Sequence, residues 1–367
     1  MLGQGTYGCA FTPPLLCKAY KQKKHGSVGK LTLNEEANHE IKIANFLRKV
    51  PLSRNYFLLP DPESCEPAPL SAQKDKEIPK CESLMEDPNH QAKWKDMRQL
   101  FLPFGGKNAI GSMILSSNIH PKYFSFFDAM IHILEAGSVL LTSGICHYDL
   151  HPNNFLRDNY GVIRILDFGQ AFDARTINTE TLYERWKMLF FGNEPNAPNP
   201  LVTNAEAPEI TIINATRNGF PLQDAIQKVV KGKRVFEDME KTLELSQTQS
   251  EKELQAFFSK SLSAQEHQWV EFWKLYWAGF DAWSIGTLLL TILKYQLTWS
   301  EFVQGDWQNK GTMAKMALRG LLHPNPHKRL DCVEALFIVD PNNQWIRRFG
   351  KPWLEKRQDI RKRAAKN

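Results

Sequence analysis

Apolar residues recur every three or four positions in two stretches of this chain, and each stretch predicts a helix. Between Asn34 and Leu47, the residues Ala37, Ile41, Ala44 and Leu47 fall on one helical face, with Asn34 as the expected cap. From Tyr123 to about Ser143, Phe126, Phe127, Met130, Ile131, Ile133, Leu134, Val139 and Leu140 predict a longer helix packed into a core. Shorter runs read as strands: Thr6 to Phe11, Val28 to Leu31, Leu100 to Phe104, Phe155-Leu156, and Ile163 to Leu166. Pro13-Pro14 should end or bulge the first of these, because proline has no N–H for a ladder. The longest greasy stretch, Ile285 to Leu293, is too short to span a bilayer, so no membrane span is expected.

Two stretches break the pattern. About 61–95 is rich in Pro, Glu and Lys, has no period, and predicts an exposed insertion. Gln223 to Leu262 is charged and helix-favouring, and Trp269, Phe272, Trp273 and Trp277 follow at apolar spacing, which predicts an inserted helical pair within about 211–270. Strands with one helix followed by mostly helices predict an α+β fold. The strands with their helix occupy 1–104, a mainly helical stretch covers 105–340, and a basic tail covers 341–367. A chain of 367 residues exceeds what one core usually organises, which agrees with two lobes.

Charge matters through its position. The whole chain carries 46 Lys and Arg against 40 acids; from Pro341 to Asn367 there are nine Lys or Arg and two acids, so the body holds 37 against 38 and is nearly neutral. The tail reads as a solvated terminal helix, with contact to nucleic acid or an acidic partner as the sharper alternative. Six cysteines and an N-terminus unlike a signal peptide predict a soluble protein with reduced thiols, hence a cytoplasmic one. Cys9, Cys17, Cys65 and Cys81 show no Cys-x-x-Cys spacing that would mark a metal site.

The chemistry concentrates in His147-Tyr148-Asp149-Leu150-His151-Pro152-Asn153-Asn154, with Asp167-Phe168-Gly169 beginning thirteen positions after Asn154. Asp149 is placed to accept a hydroxyl proton, while Asn154 and Asp167 offer the hard oxygen ligands that Mg²⁺ requires. Near the N-terminus, Leu2-Gly3-Gln4-Gly5-Thr6-Tyr7-Gly8-Cys9-Ala10 is a glycine-rich turn whose bare backbone suits a close approach to phosphates. Ala207-Pro208-Glu209, Asp281 to Gly286, and Asn325 to Leu330 with Arg329 follow downstream.

Taken in this order, these landmarks resemble the eukaryotic-type protein kinase superfamily. The resemblance implies a bilobal kinase-like α+β fold, with a small antiparallel-sheet lobe over 1–104 and a larger mainly helical lobe over 105–340, and transfer of the γ-phosphoryl of ATP, with Mg²⁺ or Mn²⁺, to Ser/Thr hydroxyls of protein substrates. It implies Asp149 as general base, Asn154 and Asp167 as metal ligands, and His151 where such kinases carry a lysine near the γ-phosphate. Lys30 would hold the α- and β-phosphates and pair with Glu40, in preference to Glu36, with Lys18 and the Lys21 to Lys24 cluster as competitors for the lysine role. Leu2, Gly3, Gly5, Thr6, Tyr7, Gly8 and Ala10 would line the nucleotide. Pro103 would offer its carbonyl and Gly105 its N–H to adenine, above Leu156. Glu209 and Arg329 are expected to pair and brace the peptide-docking segment, a feature that favours a protein substrate over the small-molecule phosphotransferases whose loop is similar around His151. A catalytically inactive nucleotide-binding scaffold is the third reading. Tyr148 stands where many family members have an arginine that grips an activation-segment phosphate, which implies activity without that phosphate. The N-terminal stretch through Cys17 and the enlarged large lobe resemble the serine/threonine kinases of large nucleocytoplasmic DNA viruses, implying a host cytoplasm or a virion.

Overall fold

A computed structural model describes residues 1–5, 8–19, 27–74, 76–85, 90–106, 108–186 and 205–364. They divide into two compact units: Met1–Lys107 with Leu156–Gly169, and Asn108–Phe155 with Gln170–Asn367. The architecture is α+β, with a small antiparallel sheet towards the N-terminus and a larger, mostly helical part.

The first unit is built on five antiparallel strands: β1 (Gly3–Gly5), β2 (Gly8–Phe11), β3 (Ser27–Leu33), β4 (Ser64–Cys65) and β5 (Met97–Pro103), ordered β1-β2-β3-β5-β4. The register sets Lys30 between Ala10 on β2 and Leu100 on β5. A helix α1 (Asn34–Leu47) leaves β3 directly and packs Ala37 on Leu100 and Leu102. The expected Asn34 cap is not formed: Leu33 is the capping residue and has no side-chain bond to the helix. The Asn34 side-chain Oδ1 instead accepts from Arg98 Nε at 2.9 Å.

The expectation that 61–95 is an exposed insertion is corrected. This stretch contributes β4, short helical turns, and Ile78, Cys81, Leu84 and Trp94 to a buried cluster with Cys9, Phe11, Leu31 and Met97. The expectation of reduced thiols is also corrected, because Cys9–Cys81 and Cys17–Cys65 are disulfides, leaving Cys146 and Cys332 as buried free thiols. Cross-links replace periodicity as the ordering device here, since each closes a long loop that would otherwise cost much chain entropy. The buried Gln99 amide adds a polar clamp, accepting from Leu15 N at 2.7 Å and donating to Leu15 O at 3.0 Å.

The strands Phe155–Arg157 and Ile163–Ile165 were expected with the large lobe, but residues 156–169 pack with the first unit. The reason is local: Leu58 N–H donates to Ile165 O at 2.8 Å, and Phe57 meets Phe168 edge to face at 5.6 Å.

The second unit centres on the almost wholly buried helix Phe280–Gln296 and the helix Phe126–Ser143, whose N-terminus Ser125 caps through Asp128 N–H. By length and composition Phe126–Ser143 would suffice to cross a membrane, a match that the reading by apolar runs missed. Most of its surface is buried within this unit, against Phe280–Gln296 and Cys332–Val339, so core packing accounts for its apolarity. The expected helical pair is instead at least three helices, Leu222–Gly232, Arg234–Leu243 and Gln247–Phe258, followed by Trp269–Tyr276. The basic tail is anchored at the base of its helix Lys351–Ala364: Trp353 Nε1 donates to Asp331 Oδ2 at 2.9 Å, and buried Arg357 pairs with the same oxygen at 3.0 Å.

Candidate active site

Within the first unit, two carboxylates converge on one ammonium. Lys30 Nζ donates to Glu40 Oε2 at 2.7 Å and to Asp167 Oδ1 at 2.6 Å. Strand β3 carries the lysine, the inward face of α1 carries the glutamate, and the turn after Ile163–Ile165 carries the aspartate. Burial would lower the lysine's pKa, but Asp167 and then Glu40 more than offset it and hold the ammonium above the ordinary lysine range. Burial pushes the Glu40 carboxyl up, against the pull of Lys30, with Asp167 adding to the rise. Asp167 has φ +65°, a left-handed backbone that aspartate tolerates better than most residues, and its Oδ1 also accepts from Gly169 N–H at 3.4 Å. Of the competing lysines, Lys18 pairs with exposed Glu66 at 3.2 Å, and Lys21 to Lys24 lie outside the described residues.

The glycine-rich segment forms a hairpin. Gly3 stands opposite Ala10 and Gly5 opposite Gly8, and Leu2 N–H donates to Ala10 O at 2.7 Å; Thr6 and Tyr7 lie outside the described residues. The glycines have different local reasons. A Cβ on Gly3 would meet nothing within 4 Å, whereas one on Gly8 would lie 1.9 Å from Leu31 O, so β3 itself demands that glycine. Pro103 ends β5 and is exposed. Gly105 sits against Leu58 and Leu156, so the expected adenine-contacting residues Gly105 and Leu156 are neighbours.

Within the second unit, the loop from His147 to Asn154 is held by its own polar groups and by one buried carboxylate. Asp281 accepts the N–H of His147 at 2.6 Å and of Tyr148 at 2.9 Å. Burial raises the Asp281 carboxyl, offset by His147 and these two N–H groups. Tyr148 adopts φ +68°, unusual for an aromatic residue, and turns the chain into Asp149. Asn154 Nδ2 donates to Asp149 O at 2.8 Å and to Asp149 Oδ2 at 3.3 Å, leaving the amide oxygen as the atom chemically suited to a hard cation. His151 Nε2 lies 3.8 Å from Asp149 Oδ2. The structure therefore brings together Asp149, His151 and Asn154 in one unit, and Lys30, Glu40 and Asp167 in the other.

The expected Glu209–Arg329 pair is present and entirely buried. Arg329 donates through Nη1 to Oε1 at 2.7 Å and through Nη2 to Oε2 at 2.8 Å, while Nε donates to His323 O at 3.0 Å. Other polar groups here escaped the reading by motif. Arg185, on the helix Thr179–Trp186, donates to the main-chain oxygens of Gln170 and Ala171 at 3.0 and 2.9 Å and lies over the Phe172 ring. Glu206 accepts from Thr211 Oγ1 at 2.6 Å and from the Tyr148 hydroxyl at 3.5 Å, and Lys233 donates to its carbonyl at 2.9 Å. None of these belongs to a spacing motif, and no local pattern marks them.

Among the described residues no group of three or more His, Cys, Asp or Glu side chains forms a ready metal centre. Asp167 in the first unit and Asn154 in the second each carry a hard oxygen donor of the kind Mg²⁺ takes, an ion that accepts few protein ligands and completes its shell with water and phosphate. No protein-family model matches the chain, and no curated protein matches it.

Proposed function

We infer that this protein is an ATP-dependent protein kinase that transfers the γ-phosphoryl group to Ser or Thr hydroxyls. The observation that carries the reading is Lys30 held at once by Glu40 and Asp167, across sequence separations of 10 and 137 residues. A lysine–glutamate pair with a metal-binding aspartate is what phosphoryl transfer by this class of enzyme requires, because its catalysis is positioning plus electrostatics. In this reading Lys30 and the Gly3 to Gly8 backbone hold phosphates, Asp149 accepts the hydroxyl proton, and His151 lies beside that base. Asn154 and Asp167 would hold Mg²⁺, which neutralises charge on the phosphates when bound. Protein rather than small-molecule substrates are favoured by the buried Glu209–Arg329 pair, a two-bond brace at the segment that would dock a peptide.

The test is transfer of labelled phosphate from Mg-ATP to generic protein substrates, with Asp149→Asn and Lys30→Met as controls. Transfer to Ser or Thr by the wild type, lost in both variants, supports the reading. Transfer to small alcohols or sugars alone would replace it with a small-molecule phosphotransferase. Nucleotide binding without turnover would make the chain a scaffold.

A further inference from the structure

The helical insertion has no part in the chemistry proposed above, yet one of its side chains reaches the surroundings of the catalytic loop. Lys233, between the helices Leu222–Gly232 and Arg234–Leu243, is 1% exposed and donates to the main-chain oxygen of Glu206. Glu206 in turn touches the Tyr148 hydroxyl through its carboxylate. Tyr148 immediately precedes Asp149, and its ring packs against Phe172, Trp273 and Phe280 at centroid distances of 6.0, 5.3 and 6.3 Å. A side chain of the central helix holds the same strip of chain, since Ser284 Oγ donates to Ala205 O at 2.6 Å.

Burying an ammonium is costly unless opposite charge compensates it. Here Glu206 and Glu209 supply two carboxylates against the two cations Lys233 and Arg329, so the buried set is close to neutral. Burial lowers the Lys233 pKa to about 8, with Glu206 and Glu209 opposing the fall, so the ammonium is still mostly charged at neutral pH.

We propose that the insertion is a built-in brace of the catalytic loop, in which Lys233 is a positioning residue acting on Asp149 through Glu206 and Tyr148. The proposal rests on the kinase reading and gives the insertion a role within it. Where the resemblance implies an arginine gripping an added phosphate, this chain has Glu206, whose main-chain oxygen is held by Lys233 from the insertion side while its carboxylate meets the Tyr148 hydroxyl. The brace is thus complete without modification.

The experiment compares the wild type, Lys233→Met and the double variant Lys233→Met/Glu206→Leu, all treated with phosphatase. Lys233→Met is expected to lower kcat about 10- to 100-fold, the loss of one charge-assisted contact. KM for ATP should stay within about twofold, because the phosphate-holding residues belong to the other unit. The double variant leaves no unpaired buried charge, so its melting temperature should return towards wild type while kcat stays low. Recovery of kcat together with the melting temperature would overturn the proposal, because Lys233 would then serve stability alone. So would loss of wild-type activity on phosphatase treatment. Hydrogen exchange at Tyr148, Asp149 and Leu150 provides a readout that needs no turnover. It should be faster in Lys233→Met than in wild type, and unchanged exchange would refute the brace. A wild type that never turns over nucleotide would sink the kinase reading instead, while the exchange result would still decide the brace.

Discussion

Arg329 and Glu209 meet through two parallel hydrogen bonds of 2.7 and 2.8 Å, and neither side chain touches solvent. Such a pair adds little net stability compared with an apolar replacement, but cutting one side strands the other charge in the core. Arg329→Met is therefore expected to cost about 3–5 kcal/mol in chemical denaturation of the second unit, with Glu209→Leu in the same background recovering part of it. A single variant losing under about 1 kcal/mol would contradict this account of the pair.

Lys30 is fixed from two sides, so its two partners should behave differently when cut. On the proposed kinase reading, Asp167→Asn and Asp149→Asn are expected to lower transfer about 100- to 10,000-fold, as removal of a metal ligand or base would. Glu40→Gln should cost only about 10- to 100-fold, because Asp167 still holds the ammonium. Steady-state rates of the purified variants decide it, and equal losses for Glu40 and Asp167 would mean that the two carboxylates share one role.

The disulfides predict a redox-dependent stability of the first unit. Cys9–Cys81 and Cys17–Cys65 join residues 72 and 48 positions apart, each worth roughly 4 kcal/mol in chain entropy. Thiol titration of the unfolded, unreduced protein should find the two thiols of Cys146 and Cys332, rising to six after reduction, and reductant should lower the melting temperature. Six thiols before any reductant is added would show that the pairs are not formed.

His323 predicts an acid-sensitive brace. Burial, with Arg329 and Lys328 adding to it and Glu253 opposing it, lowers its pKa to about 4, and its Nδ1 accepts the N–H of Asn325 at 3.1 Å. The unfolded chain binds a proton below its ordinary value near 6.5 that the folded chain refuses until about 4. Stability is therefore fully present above pH 6.5 and is lost as pH falls towards 4. Denaturation at pH 7.5 and 4.5 should show a smaller drop for His323→Gln than for wild type; an identical drop would remove His323 from the cause.

What could be read without coordinates was whatever short-range rules encode. The helix Asn34–Leu47 and the strands around Lys30 and Leu100 follow from apolar period, and the loop from His147 to Asn154 follows from spacing. The helix offered both Glu36 and Glu40, and the resemblance alone preferred Glu40, the carboxylate that meets Lys30. The insertion 61–95 was misread as exposed because disulfides and a buried Trp94 order it, and neither leaves a period. Lys233 and Arg185 were passed over because a surface lysine and a buried one are spelled alike.

The sequence by itself determined which residue types are available for the proposed phosphoryl transfer and at what separations along the chain, because carboxylate, amide and ammonium chemistry are properties of single side chains. Only the tertiary structure decided that Lys30, Glu40 and Asp167 share one ammonium, that four cysteines pair, and that Lys233 is buried beside Glu206. Those outcomes depend on long-range packing and desolvation, whose energies arise between residues tens to hundreds of positions apart and leave no local signature.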